Sequence, residues 1–207
     1  MKAFPYNSSL VLLRDAGHLE LLLQRIYKPF NSYCIHIDKK SDVVLKETIK
    51  MMVMCYKKYF NSSNIKILSD VSVSWGSDTI LLADLSCQKY LYDFSKSWKI
   101  LVNIAGSEFP LQNNLAIVRK YQESSKSIEK GVSIERVPMT NRVYEGRLQF
   151  FRSEKKLKKT QRRIRSPPPF NMTLYKGQRS GIFGRELIWF LLYHPVSEIF
   201  LKWSIDR

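Results

Sequence analysis

Three places in this 207-residue sequence carry chemically able side chains to the end of an apolar run. The first is VNIAGSEFPLQNN, where Ile100-Leu101-Val102 breaks into small residues, then Glu108, and then Pro110 at the exit. Gly106 and Ser107 let the backbone pass close to a ligand, and a carboxylate at such a rim can accept bonds from sugar hydroxyls or hold a metal. It can equally do no more than cap a local turn. The second is Asp38-Lys39-Lys40, directly after YCIHI. An Asp there can take bonds from a ribose or base and adjacent lysines suit phosphate, although IDKKSD read alone is better explained as a solvated turn. The third is Val73-Ser74-Trp75-Gly76-Ser77, ahead of a helix cap. An aromatic wall and bare amides at a helix N-terminus would make an anion seat, and a buried Trp with Gly making the turn would look the same.

Other chemistries lack their signatures. No GxGxxG, GxxxxGK(S/T) or GxSxG occurs, which removes the dinucleotide, P-loop and hydrolase patterns. His18, His36 and His194 are scattered, His36 reads as packed within a strand, and no metal site is expected.

The elements that would position these residues alternate. Strands are expected at Ser9–Leu13, Tyr33–Ile37, Ile65–Leu68 and Lys99–Ile104. Helices are expected at His18–Tyr27, Val43–Phe60, from Ser77 or Asp78 to Phe94, and at Leu115–Ser125 with Asn113 or Asn114 as cap. Strand and helix alternate four times, which argues for an α/β fold: a mostly parallel sheet with helices on both faces and ligands at the carboxyl ends of its strands. Between Gly131 and Asn171 the pattern decays into a polar stretch read as a long surface loop. Order returns with a strand at Ser180–Phe183 and helices at Arg185–Tyr193 and from Val196 to about Trp203, and no internal repeat is found.

Charge and cysteines bound the setting. The net charge of +16 implies an anionic partner, be it nucleic acid, a membrane surface or a phosphorylated small molecule. The basic run RSEKKLKKTQRRIR, Arg152–Arg165, lacks the interleaved aromatics of a nucleic-acid groove and reads as a solvated loop facing an acidic partner or phosphate. Cys34, Cys55 and Cys87 have no metal spacing. One disulfide plus a free thiol and three reduced buried cysteines remain equally open from the count. Sequons at Asn7, Asn61 and Asn171 lean towards a secretory protein, while no apolar run is long enough to span a bilayer and no signal peptide is read at the start.

Taken in order, SYCIHIDKKSD, VSWGSDTILLADLSCQKYLY, WKILVNIAGSEFPLQNNLAIVRK and YKGQRSGIFGRE strongly resemble the core 2 and I-branching β-1,6-N-acetylglucosaminyltransferases, glycosyltransferase family 14. The resemblance runs from Phe4 to Trp203 and is poor between Arg142 and Asn171. It implies a GT-A type nucleotide-sugar fold and a type II Golgi membrane protein facing the lumen. The implied reaction is inverting, metal-independent transfer from UDP-N-acetylglucosamine to the 6-hydroxyl of an O-glycan N-acetylgalactosamine or of a galactose. Partners would be the UDP-sugar, a glycan or glycoprotein acceptor, and the membrane through an anchor ahead of this chain, with no nucleic acid. Residues 1–114 would form the donor half, and 115–207, with a basic loop near 142–171, the acceptor side.

By the same resemblance, donor contacts fall at Val11, Leu12, Leu13, Asp38, Lys39, Lys40 and Ser72, and acceptor contacts at Glu135 and Arg142. Trp75, Gly76, Gly106, Ser107 and Glu108 would shape the site, Glu108 standing where members usually carry Asp. Cys34 and Cys87 match a family disulfide, and Cys55 a cysteine whose partner lies upstream, so it should be unpaired here. The family's catalytic base, a Glu following the helix that resembles FLKWSIDR, is expected beyond Arg207, as are the basic residues that grip the diphosphate. The expectation is therefore a fragment without transferase activity of its own. A non-catalytic nucleotide-sugar or glycan-binding relative and a basic nucleic-acid-binding protein are the rival readings.

Overall fold

The structure, a computed structural model, describes residues 6–11, 15–61, 63–74, 76–123, 137–138, 150–153, 156–159, 167–172, 175–176 and 180–205. In chain order the first elements are β1 (Tyr6–Val11), α1 (Ala16–Ile26), β2 (Ser32–His36), α2 (Val43–Phe60), β3 (Ile65–Leu68), α3 (Thr79–Phe94), β4 (Ile100–Ala105) and α4 (Asn114–Glu123). They are followed by β5 (Val137–Pro138), β6 (Phe150–Ser153), β7 (Lys156–Lys159), a 3₁₀ turn at Pro169–Asn171, β8 (Tyr175–Lys176), β9 (Gly181–Gly184), α5 (Arg185–Tyr193) and α6 (Pro195–Ile205).

Five strands form one sheet in the order β3-β2-β1-β4-β9. The first four are parallel, with Val11 beside His36 and Ala105, and β9 joins β4 antiparallel, Ile100 opposite Gly184. Strands pleat, so alternate residues serve opposite layers. On one face Tyr33, Ile35 and Ile37 of the β2 segment pack with Leu19, Leu22, Leu23 and Ile26 of α1 and Ile49 and Val53 of α2. On the other, Cys34 and Leu101 meet Cys87 and Leu91 of α3, Trp98 and Ile188 of α5. Helices thus cover both faces, which is the α/β architecture the alternation called for.

Local chemistry sets the element ends. The Asp15 carboxylate accepts from the Gly17 amide at 2.8 Å and starts α1 at Ala16, two residues ahead of the expected His18. Asp42 caps α2 through the Leu45 amide at 2.7 Å, and Asn61, at φ 46°, ends it in the left-handed conformation. Asn113 supplies the cap of α4 through Ala116 at 2.9 Å. Pro195 opens α6 instead of merely ending α5, because its missing N–H is one that a first helical turn leaves unpaired.

One expectation is corrected. The stretch read as a long loop holds β5, which pairs antiparallel with β8 just beyond it, and the antiparallel pair of β6 with β7. Ser153 pairs with Lys156 in the midst of the basic run. These strands are only two to four residues long, too short for an alternating apolar pattern to stand out in the sequence.

Candidate functional site

The carboxyl ends of β1 to β4 lie along one edge of the sheet, and the strand order changes direction between β1 and β4, where such sheets bind ligands. Of the donor positions inferred from resemblance, Val11 ends β1, Asp38, Lys39 and Lys40 follow β2, and Ser72 follows β3, so the fold brings them to this edge. Gly106, Ser107 and Glu108 join them after β4. Leu12, Leu13, Trp75, Glu135 and Arg142 lie outside the described residues.

Asp38 is more than a turn residue. Its Oδ1 accepts from the backbone amides of Lys40 at 2.9 Å and Val73 at 3.2 Å, which ties the exit of β2 to that of β3. Lys40 reinforces the tie, donating from Nζ to the Val73 carbonyl at 2.7 Å while standing 3.7 Å from Asp38 Oδ2. The Lys39 amide donates to Val71 O at 3.0 Å. Ser72 therefore sits exposed between two anchored residues, Val71 and Val73, and Lys39 is exposed beside it. A carboxylate whose Oδ1 is taken by two amides keeps lone pairs on Oδ2 for a ligand hydroxyl or N–H, and an exposed lysine next in the chain suits a phosphate.

At the start of α3 the amides are not bare. Thr79 Oγ1 accepts from the Ser74 amide at 2.8 Å, Ser77 N donates to Ser74 O at 3.2 Å, and Ser77 Oγ accepts from the Thr79 amide at 3.3 Å. Asp78 occupies the cap position without a side-chain cap bond. Gly76, at φ 75°, makes the turn that a Cβ would strain. The Ser74, Ser77 and Thr79 amides are therefore taken at this helix start, which weighs against the anion-seat reading.

Glu108 is a structural node. Its Oε2 accepts from the Ala105 amide at 2.7 Å, its Oε1 from the Ser180 hydroxyl at 2.5 Å, and its own amide returns a bond to Ala105 O at 2.9 Å. His18 Nε2 donates to the Glu108 carbonyl at 3.3 Å, and the imidazole meets the Phe109 ring edge-on at 6.2 Å. Ser180 and His18 were invisible as partners in the sequence, lying 72 and 90 residues away.

A second node lies beneath Asp38. His36, fully buried, bonds through Nε2 to Asp70 Oδ1 at 3.0 Å, and Asp70 Oδ2 accepts from Ser86 at 2.9 Å. Burial pulls the Asp70 carboxyl up, but bonds from Ser86, its own backbone and His36 outweigh that and hold it below the ordinary carboxylate range. His36 is thus bonded as well as packed.

Cys34 and Cys87 form a disulfide between β2 and α3, and Cys55 is free and exposed on α2. Asn61 and Asn171 are exposed in left-handed backbone at turns, whereas Asn7 lies in the central strand β1. Among the described residues no helix is long and apolar enough to cross a membrane, and no group of three or more His, Cys, Asp or Glu side chains is placed to hold a metal.

The sequence profile of the Core-2/I-Branching enzymes matches residues 9–203. The chain belongs to that family. A human relative named beta-1,3-galactosyl-O-glycosyl-glycoprotein beta-1,6-N-acetylglucosaminyltransferase 3 is 29% identical over 205 residues, covering 98% of this chain and 44% of the relative. A relative from Bovine herpesvirus 4 (strain V. test) with the same name, without a number, is 29% identical over 213 residues, with 98% and 44% covered. A Danio rerio relative, numbered 4, is 28% identical over 210 residues, with 98% and 47% covered. The chain spans less than half the length of these branching enzymes. The family is one of glycosyltransferases, and its matched span contains the whole carboxyl edge from Val11 to Ser180.

Proposed function

We propose that this chain carries the donor-binding part of a β-1,6-N-acetylglucosaminyltransferase, with UDP-N-acetylglucosamine as donor and the 6-hydroxyl of an O-glycan N-acetylgalactosamine or of a galactose as acceptor. The observation that carries the reading is the Asp38 latch: one carboxylate oxygen fixed by two amides across the β2 and β3 exits, the other left for a donor hydroxyl or N–H. Lys39 lies beside it for the diphosphate, whose developing charge a basic site can stabilise in place of a metal. Glu108 shapes the floor. Both its oxygens are committed and Asp38 is pinned, so neither serves as general base, a role that needs hydrogen-bond reach of the acceptor hydroxyl. The buried Cys34–Cys87 bond is in keeping with an oxidising compartment, and the proposal includes a Golgi-lumenal setting.

The test is a calorimetric titration of UDP into the chain at two salt concentrations, with and without a chelator. Saturable binding that survives the chelator is expected. Asp38→Asn keeps the Oδ1 latch but puts an amide at Oδ2, and should weaken UDP by roughly 10- to 100-fold, the worth of one hydrogen bond to a charged group. Indifference to UDP combined with DNA binding that falls steeply with salt would overturn the reading.

A further inference from the structure

The Glu108 node ties together three segments that the chain delivers separately to the ligand-binding edge. Ala105 and Glu108 belong to the β4 exit, His18 to the first turn of α1 after the β1 exit, and Ser180 to the residue ahead of β9. The carboxylate is half-buried and splits its oxygens, one to β4's own amide and one to Ser180. Charge-assisted bonds of this kind are short and directional, so they fix a side chain's torsions as well as its position. The carbonyl of the same residue holds His18, so the first turn of α1 and Ser180 meet on one residue. These exits flank the point where the strand order changes direction.

We propose that Ser180 is a positioning residue for the nucleotide-sugar donor: through Glu108 it sets how the Gly106–Pro110 loop stands against the first turn of α1, and hence the fit of the crevice above the paired ends of β1 and β4. This rests on the donor-binding reading above. Removing the hydroxyl leaves Glu108 Oε1 without that donor in a half-buried place, where a carboxylate regains its bonds by turning to water. The loop from Gly106 to Pro110 turns with it, and the crevice above the strand ends loses its fit while the paired strands and the core stay intact.

The test is UDP affinity of the full 207-residue chain in the wild type, Ser180→Ala, Ser180→Thr, Glu108→Ala and the Ser180→Ala/Glu108→Ala pair, beside thermal unfolding of each. Ser180→Ala should weaken UDP on the order of tenfold, Ser180→Thr should restore it to within about twofold, and Ser180→Ala should add nothing once Glu108 is Ala, as expected of residues acting through one contact. Tyr193→Phe is the control, since it removes a surface bond to Asp93 far from the node and should lower stability without touching UDP affinity. If Ser180→Ala leaves UDP affinity unchanged in a wild type that binds UDP, the inference is wrong and the donor reading stands. The inference is equally wrong if Tyr193→Phe weakens UDP as much as Ser180→Ala does. If the wild type does not bind UDP, both fall.

Discussion

Reduction of the Cys34–Cys87 disulfide should lower stability by an amount the sequence separation sets. The bond closes a loop of 53 residues, and the loss of chain entropy in the unfolded state predicts about 4 kcal/mol at 25 °C for a loop of that size. Both cysteines are 0% exposed and lie in one apolar cluster with Leu91, Trp98 and Leu101, so the reduced thiols keep their packing and the change falls mainly on the unfolded chain. For a domain of this length each kcal/mol moves the thermal midpoint by about 2–4 °C, giving a drop of roughly 8–16 °C. The assay is far-ultraviolet circular dichroism against temperature with and without a phosphine reductant. Thiol titration under denaturing conditions runs in parallel: one thiol, Cys55, should react before reduction and all three afterwards. A drop under about 3 °C with complete reduction would refute the reasoning, because the closed loop would then not be what limits the unfolded state.

Three further outcomes are expected. Arg185 stacks its guanidinium 4.1 Å from the Tyr92 ring and 4.6 Å from Trp98 while donating to the Ser95 and Tyr92 carbonyls. Arg185→Lys keeps the charge but not the planar fork and should lose about 2–3 kcal/mol in urea denaturation, and a loss below about 0.5 kcal/mol would contradict that geometry. Asp70, whose folded carboxyl lies below its ordinary range, contributes stability that is present above that range and lost as pH falls through its folded value. Wild type should therefore lose stability below about pH 4 more steeply than Asp70→Asn, and parallel acid limbs would exclude the His36–Asp70–Ser86 contact as a source. Asn64 holds the turn between α1 and β2, its Nδ2 donating to the carbonyls of Lys28, Pro29 and Asn31 at 3.2, 3.3 and 2.6 Å. Asn64→Asp aims an acceptor at those carbonyls and should cost about 3 kcal/mol or more by chemical denaturation, whereas an unchanged midpoint would show the bonds to be dispensable.

What sequence reading reached, and what it did not, divides by the range of the interaction. The bounds of α2 and α5 and the position of β3 were legible because each element announces itself through its own local pattern. The closing of the α3 start by Ser74, Ser77 and Thr79 was not, because hydroxyls beside a glycine serve an open site and a closed one with the same letters. Lys40 looked like a phosphate ligand beside Lys39, but its ammonium crosses to the Val73 carbonyl, a partner 33 residues on. The bonds of Glu108 to Ser180 and of His36 to Asp70 exist only once separate strands share an edge, so no window of local pattern holds them.

The antiparallel seating of β9 on β4 has a consequence for how the chain comes into being. The parallel strands are all on the nascent chain once Ala105 has emerged, yet β4 lacks its outer neighbour until Gly181–Gly184 is made. At about 5–20 residues per second, that interval is on the order of 4–16 s. Throughout it the apolar strand Ile100–Ala105 presents unpaired backbone along one side, the template on which strands of different molecules join. Anything that lengthens the interval, such as slow codons between the two strands, should raise the yield of aggregate without altering the finished molecule.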